Sequence, residues 1–345
     1  MKIGTYTIGG KNPVFVIAEA GVNHNNNLEK AFKMIDIAAK SGANAIKFQT
    51  WNTELLQLKT SEKPSYQKKI KDKTYYEIIK NLEPTRREQK KISQRCRKKG
   101  ILFLSTPYDS ESVDFLDALD VPAYKISSSD LTNHILLRHV ARKNKPVILS
   151  TGLADIKEVK QTVNLFKKMK KINNLILMQT TSNYPTPPED VNLMVIPNYA
   201  KTFKVPIGFS DHTNDAVASL GAITLGATIV EKHFTLSRKL AGPDQSSSLE
   251  PIELEKWIKN IRNLEKCFGS SIKFITNSDK KNLTMRKIIV VKPISKGTII
   301  KKEHLTSMRG RKSGIIPLEN NLKKIIGKKI RRNIPSNTQF SWKMI

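Results

Sequence analysis

The sequence predicts a (β/α)₈ barrel over roughly its first 250 residues, and two features support this prediction. Short apolar or β-branched runs that end in small and polar residues recur eight times, and segments with helical periodicity lie between them. Most of these runs are almost continuously apolar, as expected for strands that are buried on both faces of a parallel sheet. An open doubly wound sheet is disfavoured, since the sequence contains neither GxGxxG nor GxxxxGK[ST].

The eight predicted strands are spaced so that a helix fits after each. They span residues 14–19, 45–49, 101–106, 123–127, 146–151, 175–180, 206–210 and 228–233. Amphipathic segments separate them, the first carrying Leu28, Ala31, Ile35 and Ala38 on one face. A last helix around Trp257 is expected to complete the outer ring. We therefore assign residues 1–268 to the barrel.

The composition indicates a soluble globular protein. Hydrophobic residues make up 39% of the 345 residues and charged residues 26%. The longest apolar stretch, residues 220–230, is too short to span a membrane. The first ten residues lack the apolar segment of a secretory signal, and Cys96 and Cys267 do not have disulfide-framework spacing. These features predict a cytoplasmic protein that does not bind membranes.

The net charge is +30, and the carboxyl end of the chain carries more of it than its length would predict. Residues 283–345 contain 16 Lys and Arg against 2 Asp and Glu. A nucleic-acid or other polyanion-binding protein is therefore the remote alternative. Elsewhere the lysines are spread over almost every predicted helix without an aromatic-interleaved stripe, so we expect no nucleic-acid partner.

Polar side chains are concentrated where the predicted strands end. In a (β/α)₈ barrel the chemistry takes place on the loops at the carboxyl ends of the strands, which meet at one rim. The polar residues at these ends include Glu19, His24, Lys47, Gln49, Thr106, Lys125, Ser128, Asp130, Ser150, Ser182, Tyr184, Ser210, Asp211, His212, Glu231 and His233. This convergence predicts an active site at the rim.

Lys47 and Lys125 stand at the ends of buried strands, where an unpaired cation is costly. One interpretation is an anionic ligand, since a phosphate or carboxylate accepts hydrogen bonds from lysine and from nearby hydroxyl groups. The alternative is that each lysine forms a structural ion pair with Glu19, Asp130 or Glu231. The sequence favours the first interpretation for the two lysines together.

His212 and His233 close the last two strands, which are neighbours in a barrel. Two imidazoles directed at one centre are a reasonable site for a divalent transition metal, and oxygen-rich surroundings favour manganese or magnesium. A satisfied polar histidine or a proton shuttle is the alternative. Asp211 and Glu231 are candidates for holding the two rings. His24 is a candidate third ligand or sugar contact, or a loop residue that orients the preceding asparagine.

Nine motifs on successive loops together resemble the bacterial sialic acid synthases over nearly the whole chain. They are AEAGVNH (18–24), KFQT (47–50), STP (105–107), YKI (124–126), STG (150–152), TSNYPT (181–186), SDHT (210–213), EKHFT (231–235) and GPD (242–244). The resemblance implies condensation of phosphoenolpyruvate with N-acetylmannosamine to N-acetylneuraminate. The alternative acceptor is 2,4-diacetamido-2,4,6-trideoxymannose, which would give N,N'-diacetyllegionaminate.

The resemblance also implies a role for each strand-end residue. Phosphoenolpyruvate would be held by Lys47, Thr106, Lys125, Ser128, Ser150, Ser182 and Ser210. His212 and His233 would hold the metal, expected to be Mn²⁺ with Mg²⁺ or Co²⁺ as alternatives, and Glu19 would stabilise positive charge on the substrate. The sugar would be oriented by Gln49, Tyr184, Asp244 and Arg309.

A second, smaller domain at residues 283–345, after a linker at 269–282, is similar to type III antifreeze proteins (the SAF, or β-clip, domain). In the family that the chain resembles, the homodimer is domain-swapped, and the tail of one subunit covers the barrel of the other. Arg309 is the residue expected to reach the partner's sugar.

Four loops depart from the family pattern, and in one of them Ser237 stands where an aspartate often follows the strand-eight motif. The segment that starts at Arg309 is one residue longer, so that Arg311 could take its role. Asn26 stands where a glycine is common, and Ser127 and Ser129 replace the glycines that flank the central serine. None of these changes removes a predicted ligand.

Overall fold

The computed structural model places eight parallel strands in one sheet of the larger of its two units. The structure describes residues 1–63, 74–281 and 285–345, and the units are Met1–Phe268 and Gly269–Ile345. A short hairpin comes first, formed by β1 (Lys2–Ile3) and β2 (Tyr6–Thr7). The eight parallel strands are β3 (Phe15–Gly21), β4 (Ala45–Thr50), β5 (Leu102–Pro107), β6 (Tyr124–Ile126), β7 (Val147–Ser150), β8 (Leu175–Gln179), β9 (Ile207–Asp211) and β10 (Ile229–His233).

The order of the strands shows a barrel. The hydrogen-bonded sequence β5-β4-β3-β10-β9-β8-β7-β6 pairs the first barrel strand with the last. The two strands at the ends of that order, β5 and β6, lie next to each other and nearly close the ring. The predicted (β/α)₈ barrel is confirmed.

Helices lie on the outside, one after each barrel strand, and the described residues form two further helices between β4 and its helix. They are α1 (Leu28–Lys40), α2 (Thr53–Leu56), α3 (Tyr75–Leu82), α4 (Arg86–Lys99), α5 (Ser110–Ala118), α6 (His134–Arg142), α7 (Ile156–Lys168), α8 (Val195–Phe203), α9 (Val217–Thr224) and α10 (Pro251–Cys267). Helix α1 begins where the Asn27 side chain accepts a hydrogen bond from the Lys30 amide. Ala31, Ile35 and Ala38 are buried, as their spacing predicts.

Side-chain alternation along the strands divides the barrel interior into an apolar bottom and a polar rim. Phe15, Ile17 and Ile229 belong to the apolar cluster inside the barrel, together with Ile3 and Ile8 of the amino-terminal segment. Two residues further along the same strands, the same face carries polar groups. The fold thus brings the chemically active side chains to one end of a packed core.

The second unit has its own small sheet and core. The sheet is antiparallel and contains β11 (Arg286–Val290), β12 (Leu305–Arg309) and β13 (Thr338–Gln339), with β11 in the centre. Helices α11 (Asn277–Lys281) and α12 (Glu319–Ile325) complete it. Its core is formed by side chains that include Ile288, Val290, Ile300, Ile325 and Phe340. The predicted linker, 269–282, contains α11, and both its last residue and the predicted domain start at 283 lie outside the described residues.

Within the described parts of the chain, no helix is long and apolar enough to cross a membrane.

Candidate active site

A cavity of about 790 Å³ opens at the carboxyl ends of the barrel strands. It brings together almost every residue that the sequence predicted for the site. Those that line it are Glu19, Lys47, Gln49, Thr106, Lys125, Ser128, Ser150, Ser182, Tyr184, Ser210, His212, Glu231, His233 and Asp244. Arg309 lies on β12 of the second unit, where its side chain is exposed.

Two lysines and two glutamates form a buried network on the cavity floor. The Lys47 Nζ atom lies 2.8 Å from Glu19 Oε2 and 3.1 Å from Thr106 Oγ1. The Lys125 Nζ atom lies 3.4 Å from Glu231 Oε1, and Glu231 Oε2 is 3.9 Å from Lys47 Nζ. The lysines therefore pair with glutamates, one of the two interpretations that the sequence left open, while both still line the cavity.

Burial and ion pairing shift the pKa values of groups in this network in different directions. Burial raises the pKa of Glu19 to about 7, although Lys47 opposes the shift. For Glu231 the nearby lysines outweigh burial and lower the pKa to about 2. Burial lowers the pKa of Lys125, and Glu231 offsets this only in part. The network thus combines a permanently ionised carboxylate, Glu231, with a second carboxyl group that titrates near neutral pH.

Hydroxyl groups from three strand ends surround the part of the cavity nearest Gly152. The Gly152 amide donates to Ser128 Oγ at 3.1 Å. A Cβ atom at position 152 would lie 2.5 Å from Ser182 Oγ and 2.8 Å from Ser128 Oγ, so only glycine allows both serines to approach this backbone. The buried Ser150 hydroxyl has no hydrogen-bond partner among the described residues. This arrangement suits an anion that accepts several hydrogen bonds.

The two serines that replace glycines are satisfied within their own turn. Ser127 Oγ donates to Asp130 Oδ2 at 2.7 Å and also lies 2.7 Å from Ser129 Oγ. Asp130 therefore holds these two hydroxyls rather than pairing with a lysine. The middle serine, Ser128, remains directed at Gly152.

His212 and His233 lie side by side in the cavity lining, with ring centroids 5.5 Å apart. The His212 Nδ1 atom lies 2.7 Å from the Thr181 carbonyl oxygen, which fixes the tautomer with the proton on Nδ1 and leaves the Nε2 lone pair available. Burial lowers the pKa of His212 to about 4 and that of His233 well below its ordinary value, so both rings are neutral. Tyr184 lies against both rings.

This donor set fits a divalent metal ion. Metal ligation requires neutral imidazoles, and the buried His233 Nδ1 has no hydrogen-bond partner among the residues that the structure describes. Across the described ranges there is no cluster of three or more His, Cys, Asp and Glu side chains that could hold a metal. Two histidines would thus leave several coordination positions for substrate or water.

Two residues that the sequence offered as possible ligands or supports for this pair do not take that place, and for His24 this leaves its alternative as a loop residue. His24 packs against Phe48 with centroids 5.6 Å apart and is not part of the cavity lining or of any three-residue ligand cluster in the described chain. Asp211 is directed to the outer face of the sheet, where it pairs with Lys232 at 3.0 Å and accepts from the Thr213 amide. For Asp211 the reason is that successive side chains of a strand point to opposite faces of the sheet. Its neighbours Ser210 and His212 line the cavity, so Asp211 points outward.

The loop after β10 brings Asp244 to the cavity. Asn23 Nδ2 donates to the Phe234 carbonyl and to Ser248 Oγ, both at 2.9 Å. Ser248 Oγ in turn donates to the Asp244 carbonyl at 2.6 Å. Burial raises the pKa of the Asp244 carboxyl group to about 6. Asn23 therefore serves to hold the loop that carries Asp244.

Several lining residues were not identified from the sequence. They are apolar or aromatic and come mainly from the segment between β4 and α4: Trp51, Leu56, Tyr75, Ile79, Leu82 and Tyr108. The spacing of Tyr75, Ile79 and Leu82 predicts an apolar face on α3. The sequence alone does not show that this face is directed at the cavity. The contribution of an inserted helix depends on where its loops place it.

Replacing Glu19 with glutamine is expected to change the pH dependence of stability. The folded-state pKa of Glu19 is about 7, above the ordinary value of 4.5. Between these two pH values the folded protein therefore retains a proton that the unfolded chain releases. The free energy of unfolding therefore falls as the pH rises through this range, by about 1.4 kcal/mol per unit and roughly 3 kcal/mol in total. Urea denaturation at about pH 5 and about pH 8 should show the wild type losing this stability relative to Glu19→Gln. Parallel profiles would mean that Glu19 has an ordinary pKa.

The larger unit is a (β/α)₈ barrel whose strand-end lysines, serines and histidines line one cavity suited to an anionic ligand, and a small β domain follows it in the chain. These are the features of a barrel enzyme. The chain belongs to the NeuB family, whose profile matches residues 34–273, and residues 286–345 match the SAF domain. N,N'-diacetyllegionaminic acid synthase of Legionella pneumophila is 37% identical over 98% of this chain and 96% of its own. The Campylobacter jejuni protein of that name is 40% identical over 85% of this chain and 90% of its own.

Solved structures agree with this assignment. The crystal structure of N-acetylneuraminic acid synthetase from Leptospira borgpetersenii, in complex with citrate, superposes with a TM-score of 0.71 at 36% identity, covering 82% of this chain and 94% of that one. The chain is therefore an enzyme of the family that contains the sialic and legionaminic acid synthases.

Proposed function

We propose that this enzyme condenses phosphoenolpyruvate with an N-acetylated mannose-type aldose and water, releasing phosphate and a nine-carbon 2-keto acid. The observation that supports this most directly is the single cavity that combines two lysines, a group of serines and two neutral histidines. A dianionic phosphate ester with a carboxylate requires such a set of cations and donors. The two imidazoles are suited to hold a metal ion that would polarise the carbonyl group of the second substrate.

Phosphoenolpyruvate would bind where positive charge and hydroxyl donors coincide. Lys47 and Lys125 would form ion pairs with its anionic groups, and they would thereby exchange part of their contact with Glu19 and Glu231. Hydroxyl donors would complete the site, namely Thr106, Ser128, Ser150, Ser182 and Ser210. The Ser150 hydroxyl, which has no hydrogen-bond partner in the part of the chain that the structure describes, is a donor available for this purpose.

The bond-forming step is an attack by C3 of phosphoenolpyruvate on C1 of the open-chain aldose. The carbonyl oxygen takes up a proton and becomes a hydroxyl group, and positive charge develops at C2. Ionised Glu19, which is buried on the cavity floor, would stabilise that charge. Water then adds to C2 and releases one proton, which balances the proton taken up by the carbonyl oxygen. The bond between C2 and the phosphate oxygen of this tetrahedral adduct breaks, the C2 hydroxyl proton passes to the departing phosphate, and the keto group remains.

His212 and His233 would hold a divalent metal ion, proposed to be Mn²⁺ with Mg²⁺ or Co²⁺ as alternatives, whose Lewis acidity would polarise the aldehyde of the acceptor. The Thr181 carbonyl contributes by fixing the orientation of the His212 ring. Tyr184, which lies against both rings, would limit their movement.

The acceptor would be oriented by Gln49, Tyr184 and Asp244, since a bimolecular condensation gains most from positioning. We also propose that Arg309 is contributed by the partner in a domain-swapped homodimer, and sedimentation tests whether the protein is a dimer. N-acetylmannosamine and 2,4-diacetamido-2,4,6-trideoxymannose are the two candidate acceptors. Two free cysteines, Cys96 and Cys267, are consistent with a cytoplasmic enzyme.

The function is tested by phosphate release from phosphoenolpyruvate with Mn²⁺ and each acceptor in turn, with mass spectrometry of the product. We expect release only when an acceptor is present, and we expect a chelator to abolish it. Arabinose 5-phosphate serves as the control acceptor, because turnover with it would indicate an ulosonic acid synthase of another type. Lack of turnover with both N-acetylated sugars would contradict the proposal.

A further inference from the structure

The cavity has a second wall that differs chemically from its polar floor. Helix α3 contributes Tyr75, Ile79 and Leu82 to the lining. These residues are spaced four and three apart, so they share one face of the helix. Ile78, beside them, is buried in the protein. We refer to Tyr75, Ile79 and Leu82 as the α3 wall.

Aromatic side chains extend this apolar surface. Trp51 is buried and packs edge-on against Tyr108, with ring centroids 6.4 Å apart. The Trp51 indole nitrogen donates to Thr53 Oγ1 at 3.1 Å, so its hydrogen bond is made within the protein. The rings therefore offer mainly carbon surface to a ligand.

The α3 wall is held in place by hydrogen bonds at both ends of its helix. At the start, Thr74 and Glu77 form a capping box. At the end, Asn26 Nδ2 donates to the Asn81 carbonyl at 2.8 Å and to the Glu83 carbonyl at 3.3 Å. The Thr53 amide donates to Glu83 Oε2 at 3.1 Å, which links α3 to α2.

Asn26 therefore has a specific task in this chain. Its φ angle of 51° is one that glycine adopts freely and that asparagine tolerates better than most residues. Asparagine at this position retains the turn and adds two hydrogen bonds to the end of α3. It acts as a positioning residue for the α3 wall.

We propose, on the basis of the proposed function, that the α3 wall determines acceptor selectivity and favours 2,4-diacetamido-2,4,6-trideoxymannose over N-acetylmannosamine. Phosphoenolpyruvate and the reacting carbonyl take up the polar floor, and Gln49, Tyr184 and Asp244 orient polar groups of the acceptor, so we place the far end of the acceptor, at C6, against the α3 wall. A hydroxyl group facing Ile79 and Leu82 loses water without gaining a partner, whereas a methyl group gains apolar contact. The 6-deoxy sugar carries a methyl group where N-acetylmannosamine carries a hydroxymethyl group.

The test is the ratio of kcat/KM for the two acceptors. We expect the wild type to favour the diacetamido sugar by about 10-fold to 100-fold, the range for one methyl or hydroxyl group in an apolar pocket. Leu82→Asn is nearly isosteric, and Ile79→Thr keeps the β-branch while it introduces a hydroxyl group and shortens the side chain by one carbon atom; both should bring this ratio toward unity. Asn81→Ala, at an exposed position on the same helix, is the matched control and should leave the ratio unchanged.

Asn26→Gly separates positioning from folding. It keeps the backbone conformation and removes both hydrogen bonds, so we expect a higher KM for the diacetamido sugar with little change in kcat. The inference is overturned if the wild type uses both acceptors equally well, or if the wall variants leave the ratio unchanged. Either result would leave the synthase function standing, whereas failure with every acceptor would contradict both proposals.

Discussion

Replacement of Lys125 by methionine is expected to lower kcat/KM for phosphoenolpyruvate by about 10³-fold, the upper range for removing one preorganised donor to a charged group. Lys125 Nζ lies on the cavity floor, 3.4 Å from Glu231 Oε1. Methionine retains most of the volume but cannot bind an anion. The carboxylate of Glu231 would then face the anionic substrate with one lysine fewer to neutralise it. Steady-state kinetics with varied phosphoenolpyruvate measures the effect.

Lys232→Met is the matched control. Lys232 is as buried as Lys125, but it lies on the outer face of strand β10. Lys232 pairs with Asp211 at 3.0 Å and donates to the Thr213 carbonyl, and it does not line the cavity. Loss of a buried ion-pair partner costs about 3 to 5 kcal/mol of stability in either variant. The folded fraction of Lys232→Met should retain affinity for phosphoenolpyruvate. Equal losses of kcat/KM in both variants would refute a binding role for Lys125.

The barrel could be predicted because its signals are local and repeated. Each strand is a short and mostly apolar run, and polar residues stand at its last positions or in the loop that follows, where they reach the rim. Placement at strand ends also identified most of the cavity lining, since parallel strands deliver their carboxyl ends to one place. The pairing of Lys47 with Glu19 followed from the same geometry and was anticipated as an alternative.

What could not be predicted depends on orientation in three dimensions. Asp211 and His212 are adjacent in the sequence, yet strand alternation sends one outward and the other into the cavity. His24 belongs to a family motif but packs on Phe48. The α3 wall was missed because an amphipathic helix in a loop has no fixed direction until contacts such as those of Asn26 anchor it.

Replacing His233 with glutamine is expected to weaken Mn²⁺ binding by more than about 100-fold, a lower bound taken from the effect of merely disturbing a ligand's surroundings. The structure offers two imidazoles in this part of the cavity, and the described chain provides no cluster of three ligands that could compensate. Equilibrium dialysis of the substrate-free protein with Mn²⁺ measures the affinity directly and does not depend on turnover. His139→Gln is the matched control, since His139 pairs with Asp114 away from the cavity.

The low pKa values of the two rings give this prediction a further consequence. A histidine that titrates near its ordinary value would lose a metal ion as the pH falls below about 6.5, because protonation removes the lone pair. Burial holds the pKa of His212 at about 4, so metal binding should persist at about pH 5.5, where an exposed pair of histidines would already be protonated. Mn²⁺ release at that pH from the wild type would show that the rings are more accessible to water than their burial implies. Retention there, together with its loss in His233→Gln, would assign the site to these two side chains.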